Sequence, residues 1–247
     1  MSTPRKRPIV STSRKRPIVP TPHDSVLIFL GNSENLLPDL SSSLPPSHFV
    51  IAADSGLHLA QKMGIQVDVV VGDLDSVSAD ALDLARKSGV RVAQHPRDKE
   101  QTDFELALHI AIAHGQKISI IGNTSGRFDH VMGNCLVLAA PAFAEAEIEA
   151  RLGTSLVWVA GGRKEGPQRT ALLKGTPGHY VSLLPLHGPV TGARTHGLRF
   201  PLHNETLFPG SSRSLSNEFL TSEARVEVET GTLLIIAPGS GPQDPPL

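Results

Sequence analysis

A single cysteine, Cys135, in 247 residues excludes an intramolecular disulfide and a cysteine-rich zinc site, and nothing in the chain calls for an oxidising compartment. Long apolar runs are also missing. The longest, such as 26–30, span about five residues against the ~20 needed to cross a bilayer, so neither a membrane span nor a secretory signal is expected. No G-x-x-x-x-G-K-[ST], G-x-G-x-x-G, H-E-x-x-H or G-x-S-x-G occurs, so any nucleotide must be held without a P-loop. With 39% hydrophobic residues and a net charge of −1, the chain is otherwise an ordinary globular one, long enough for one large or two modest domains. The expectation is a cytoplasmic protein.

Acidic residues are absent from 1–23, which carry six of the 23 Lys and Arg. The remainder therefore holds 17 basic against 24 acidic side chains, about −7. An acidic core argues against nucleic-acid binding, and one that handles an anionic substrate calls for a divalent cation. The first 22 residues contain a near-duplication, Arg5-Lys6-Arg7-Pro8-Ile9-Val10 and Arg14-Lys15-Arg16-Pro17-Ile18-Val19. With no periodicity able to bury a face, 1–23 reads as a disordered basic tail; a nuclear-import or polyanion-binding arm is the functional alternative.

From Ser25 onward, short β-branched runs alternate with segments of helical period, the pattern of βαβ units on a mostly parallel sheet in Rossmann-like layers. Strands are expected at 26–30, 49–53, 67–71, 90–93, 117–121 and 156–159, and helices at 57–63, 79–88, 102–114 and 130–139. In the third helix Phe104, Leu108, Ala111 and Ile112 recur at helical spacing, and Thr102 with Glu105 forms a capping box. After Gly161, Gly, Pro and Thr punctuate short strands at 180–184, 206–207, 225–229 and 233–236, which reads as an all-β sandwich or barrel. The expected division is an α/β domain over 24–163, a β-sandwich over 164–240 and a frayed end at 241–247.

Position singles out the chemistry. Asp54, the pair Asp73 and Asp75, the group Asp98, Glu100 and Asp103, and Arg127 with Asp129 and His130 each follow a different expected strand. In an open parallel sheet those strand ends share one edge, where ligands bind. The two carboxylates of Gly72-Asp73-Leu74-Asp75-Ser76 can converge on a hard cation such as Mg²⁺, although Asp75 or Ser76 can equally cap the next helix. Gln101-Thr102-Asp103 opens a helix whose N–H groups can receive a phosphate or serve only as its cap. Arg127 can fork a phosphate or pair with Asp129. His130 is either a general base or a hydrogen-bond partner at a helix start.

Taken in order, these motifs resemble the thiamine pyrophosphokinase family. Ala53-Asp54-Ser55-Gly56 is similar to the family's A-D-G-G, 72–76 to its G-D-[FL]-D-S, Thr102-Asp103 to its T-D helix start, and 126–130 to its G-x-R-x-D-H region. Further on, 195–202 is similar to T-x-G-L-x-W-x-L and Ser214-Leu215-Ser216-Asn217-Glu218 to S-x-S-N-E. Ser55 stands where the family has Gly, Glu100 where Asp is common, and Phe200 where Trp packs on the thiamine pyrimidine.

The resemblance implies transfer of a diphosphate from ATP to thiamine, giving thiamine diphosphate and AMP, in a homodimer with thiamine bound between subunits. It implies catalytic roles for Asp54, Asp73, Asp75, Asp103, Arg127 and Asp129, and Mg²⁺ held by Asp73, Asp75 and either Asp98 or Glu100. Gln101, Thr102, His130, Phe200, Ser214, Ser216 and Asn217 are the implied substrate-binding residues. A pterin diphosphokinase, or a non-catalytic nucleotide- or thiamine-binding regulator using its tail on DNA, are the competing readings.

Overall fold

The computed structural model describes residues 25–31, 49–123, 127–162 and 170–239. The basic tail, the C-terminal segment 241–247 and Gly126 lie outside the described residues. The α/β part runs β1 (Ser25–Leu30), β2 (Phe49–Ala53), α1 (Gly56–Lys62), β3 (Val69–Gly72), α2 (Ala79–Lys87), β4 (Arg91–Gln94), α3 (Asp103–His114), β5 (Lys117–Gly122) and α4 (Phe128–Leu138). A short 3₁₀ turn (Pro141–Phe143), β6 (Glu147–Leu152) and β7 (Ser155–Gly161) follow. The rest is strand: β8 (Thr170–Lys174), β9 (Tyr180–Pro185), β10 (Val190–His196), β11 (His203–Leu207), β12 (Asn217–Glu218), β13 (Glu223–Glu227) and β14 (Thr232–Ala237).

The central strands are buried on both faces, which is why they read as continuous apolar runs. In β1, Val26, Ile28 and Leu30 face α3 and the end of α4, while Leu27 and Phe29 face α1 and α2. Strands β6, β5, β1, β2, β3 and β4 lie side by side in parallel. The same sheet then continues antiparallel through β7, β14, β9 and β12, to ten strands. A second, antiparallel sheet of order β11-β10-β13-β8 packs against this extension through Trp158, Leu183, Phe219, Val226 and Ile235, the layered arrangement of a β-sandwich. The α/β unit and the antiparallel β unit expected from the sequence are both present.

Four strands escape the sequence reading. β6, Glu-Ile-Glu-Ala-Arg-Leu, is rich in helix formers, yet Ile148, Ala150 and Leu152 alternate inward, so tertiary context overrides propensity. β10 carries Gly192 at φ 67°, where a Cβ would meet the Glu229 side chain, and its register shifts between Val190 and Arg194. That bulge breaks the period of two. β8 has only Leu173 buried, and β12 is two residues long.

Candidate active site

Three chain segments deliver three carboxylates to one place. Asp54 leaves β2 in the left-handed region (φ 47°) with its N–H donating to the Val71 carbonyl at 2.8 Å. Two residues on, Gly56 starts α1 so close to β1 that a Cβ there would sit 2.1 Å from the Phe29 carbonyl oxygen. Asp73 is flanked by Gly72 (φ 148°) and Leu74 (φ 64°). Leu74 is buried, and anchoring that side chain in the core holds a conformation that non-glycine residues otherwise avoid. Asp103 is the first residue of α3, whose N-cap Thr102 accepts from the Glu105 N–H at 3.2 Å, the capping interaction read from the sequence. A Cβ on Gly72 would lie 3.0 Å from the Asp103 carboxyl carbon, so the bare backbone at 72 makes room for that group.

One oxygen from each of Asp54, Asp73 and Asp103 lies within 4.8 Å of the others. Asp54 Oδ1 and Asp103 Oδ1 are buried without a hydrogen-bond partner. The Lys99 ammonium is 3.0 Å from Asp103 Oδ1, an ion pair without hydrogen-bond alignment. Burial pushes the Asp54 carboxyl above its ordinary range; the charges of Asp103 and Asp73 add to this, and polar contacts from the Ser55 backbone and the Ser76 hydroxyl oppose it. Converging hard oxygens, two of them orphaned, suit a divalent cation that prefers oxygen ligands, as Mg²⁺ does.

Other acidic residues expected at this edge stand outside that group of three. Asp75 is exposed, accepts from the Ser76 hydroxyl at 3.0 Å and lies 3.7 Å from Arg97 Nε. Asp98 and Glu100 are exposed on the turn before α3. Gln101 donates to the Glu105 carboxylate at 3.0 Å. At the start of α4, Arg127 forks Asp129 through Nε at 3.1 Å and an Nη at 2.5 Å. That fork holds the Asp129 carboxyl below its usual range and raises Arg127. His130 is exposed beside them.

In the β unit, Asn217 is buried and locks the preceding loop. Its Oδ1 accepts the Phe200 N–H at 3.0 Å and the Glu218 N–H at 2.9 Å, and its Nδ2 donates to the Phe200 carbonyl at 2.7 Å. The ring so presented is 51% exposed, with the Arg199 guanidinium 5.6 Å from its centroid. Buried Ser214 donates its hydroxyl to the Leu183 carbonyl at 2.5 Å. Ser216, at φ 53°, is exposed, and its N–H donates to the Ser182 hydroxyl. Phe200, Leu202 and residues 213–217 line a hollow of about 90 Å³. Two larger hollows, of about 400 and 500 Å³, are lined by none of the expected catalytic, substrate-binding or metal-holding residues, although His196 and Gly197 of the 195–202 motif border the smaller of the two.

Residues 40–150 match the family described as thiamin pyrophosphokinase, catalytic domain, and residues 170–235 match its vitamin B1 binding domain. The chain belongs to the thiamine pyrophosphokinase family. It is 27% identical over 213 residues to the thiamine pyrophosphokinase of Bacillus subtilis, covering 86% of this chain and 97% of that one. It is 28% identical over 185 residues to thiamine pyrophosphokinase 1 of Arabidopsis thaliana, covering 72% and 67%. Among solved structures, thiamine pyrophosphokinases from Bacillus subtilis and Geobacillus thermodenitrificans superpose with TM-scores of 0.72 and 0.70 at 25% and 26% identity. They cover 88% and 89% of this chain and 99% of each of theirs. Within this member of the thiamine pyrophosphokinase family, sequence reasoning missed Lys99. Its signal was the i, i+4 spacing to Asp103 across a helix start.

Proposed function

We propose that the chain is an ATP-dependent thiamine diphosphokinase, transferring a diphosphate group from ATP to thiamine and releasing AMP. The observation that carries this reading is the convergence of Asp54, Asp73 and Asp103 at the strand ends of a chain that belongs to this family. The thiamine hydroxyl oxygen forms a bond to the β-phosphorus while the bond from that phosphorus to the α–β bridging oxygen breaks. AMP departs with the bridging oxygen, and the hydroxyl proton passes to solvent. Asp54, Asp73 and Asp103 would hold Mg²⁺, which would supply positive charge to neutralise the polyphosphate.

The residues of the chain bind and orient. We assign Asp73 the central ligand position, with Asp54 and Asp103 beside it and Asp75 on the same turn; Asp98 and Glu100 lie outside the set. Arg127 exchanges its fork with Asp129 for one with a phosphate, at the α4 start where His130 also stands. Thr102 and Gln101 hold the start of α3, and with it Asp103. Phe200 stacks on the pyrimidine, Ser216 offers its hydroxyl to the ring edge, and Asn217 and Ser214 fix the loops that carry them. The matches at 40–150 and 170–235 support a division into a catalytic domain over 24–163 and a thiamine-binding domain over 164–240.

A homodimer is supported by α4, where Phe128, Met132 and Leu136 recur at i, i+4 and i+8 with exposures of 74%, 45% and 42%. A stripe of that kind on a helix is an association surface. No helix among the described residues is long and apolar enough to cross a membrane. We place the enzyme in the cytoplasm, where the lone Cys135 stays reduced.

The test is AMP release from ATP and Mg²⁺ with thiamine added or omitted, and product mass determined. Thiamine-dependent AMP together with thiamine diphosphate is expected from the wild type, and Asp73→Asn is expected to lose at least about 100-fold while remaining folded and dimeric by sedimentation. Near-wild-type turnover in that variant would remove the metal assignment.

A further inference from the structure

Lys99 has no role in the reading above, yet it is placed as few lysines are. Its side chain is 16% exposed, its N–H donates to the Arg97 carbonyl at 3.2 Å in a tight turn, and its ammonium rests 3.0 Å from Asp103 Oδ1. Lysine is seldom buried without a partner whose charge repays its desolvation. Among the described residues this is the single ion pair of the carboxylate triad, because Arg97 contacts Asp75 and not the three. The pairing lacks hydrogen-bond alignment and leaves Oδ1 unsatisfied. Three converging carboxylates carry a formal charge of −3, and half-buried as they are they repel one another unless a cation sits among them.

We propose that Lys99 is a displaceable counter-ion: it occupies Asp103 Oδ1 until a divalent cation takes the carboxylates, and then moves its ammonium to a phosphate oxygen of the nucleotide. The inference rests on the metal-dependent reading above. A compact ammonium on a flexible four-carbon stem, with three rotatable donors, suits such an exchange better than a planar guanidinium. The exchange couples two events. Metal binding releases the ammonium, and the released ammonium adds to the attraction for a polyanion, so the cation and nucleotide sites assist each other. No covalent step is involved.

Removing the ammonium should therefore act in opposite directions on two ligands. The first measurement is calorimetric titration of the nucleotide-free, full-length protein with Mn²⁺ alone. Lys99→Gln should bind Mn²⁺ at least about fivefold more tightly than wild type, since a competitor is gone, while Arg97→Gln, which removes a nearby exposed cation, should change it little. The second is steady-state kinetics with Mg²⁺ and thiamine, where Lys99→Gln should raise the KM for ATP by about tenfold, the loss of one charge-assisted contact. Lys99→Arg should keep near-wild-type Mn²⁺ affinity. Lys99→Met, of similar length and uncharged, repeats the test should the Gln variant fold poorly.

Unchanged or weaker Mn²⁺ binding in Lys99→Gln and Lys99→Met would overturn the counter-ion role, and tighter Mn²⁺ binding with an unchanged KM for ATP would overturn the transfer to phosphate. Wild-type protein that binds no Mn²⁺, or binds it undiminished in Asp73→Asn, would overturn the metal reading itself and this inference with it.

Discussion

Asp54 is held in a conformation and a protonation environment that folding alone does not favour. Its raised pKa means that the native state binds the proton more tightly than the unfolded chain does. The contribution of Asp54 to stability is then greatest below the ordinary value of 3.8 and falls as pH rises through the window from 3.8 to the raised native value. Asp54→Asn removes the buried charge, so it should raise Tm by a few degrees at pH 7 while abolishing turnover. The difference should shrink as pH falls toward 3.8. Thermal scans from pH 3 to 8 check this, and a variant less stable than wild type at pH 7 would show that Asp54 contributes a structural contact instead. The gain in stability with loss of activity is the trade expected where like charges are gathered for a ligand. At this scale the sequence was informative about which side chains matter, because acids just past strand ends point to an edge. It could not show which of the seven acids converge. That depends on backbone detail: a bare Gly72 beside Asp103, a buried Leu74 at φ 64°, and Asp75 turned out toward Arg97. Likewise Asn217 bears the right motif, but its amide is spent on the Phe200 backbone, a use that only the fold reveals.

Among the elements, α1 sets the position of Asp54, and its first residue sets α1. A Cβ on Gly56 would lie 2.1 Å from the Phe29 carbonyl oxygen and 2.6 Å from its carbon, atoms of a buried central strand that have nowhere to go. Gly56→Ala should therefore cost about 1–3 kcal/mol and also lower kcat, because the helix must move away from β1 and drag the Asp54 turn with it. Gly64→Ala is the instructive comparison: a Cβ there meets nothing within 4 Å, but φ is 68°, so any cost is local backbone strain at the far end of the helix and kcat should be unaffected. Equal losses of kcat in the two variants would detach α1 placement from catalysis. The same contrast between packing and pattern explains what was legible among the elements. Strands buried on both faces and helices with an apolar stripe declare themselves. β6, β8 and β10 are half-exposed, charged or bulged, and they become strands only because a neighbour offers a ladder to pair with.

The whole molecule is less divisible than its sequence suggests. A change of character after Gly161 separates an α/β half from a β half, yet the C-terminal β14 inserts between β7 and β9 and joins both into one ten-stranded sheet. Successive residues of these strands point to different cores. Val157, Val159 and Leu234 belong to the core beneath α3, while Trp158, Ala160, Leu233 and Ile235 belong to the sandwich core. Neither core can open without exposing the other side of β7 and β14, so the free-energy cost of unfolding one unit includes apolar surface of both. We therefore expect one cooperative transition in urea. Trp158, the single tryptophan, is 4% exposed in the sandwich core, so its fluorescence reports that unit, whereas far-UV circular dichroism near 222 nm is dominated by helices, which among the described residues sit only in the α/β unit. The two curves should share a midpoint. Leu234→Ala, whose side chain faces the α/β core, should cost about 2–5 kcal/mol and move both curves together. A fluorescence midpoint that stays in place while the circular dichroism midpoint falls would mean that the shared strands do not couple the two cores, and that the halves are independent domains lying edge to edge.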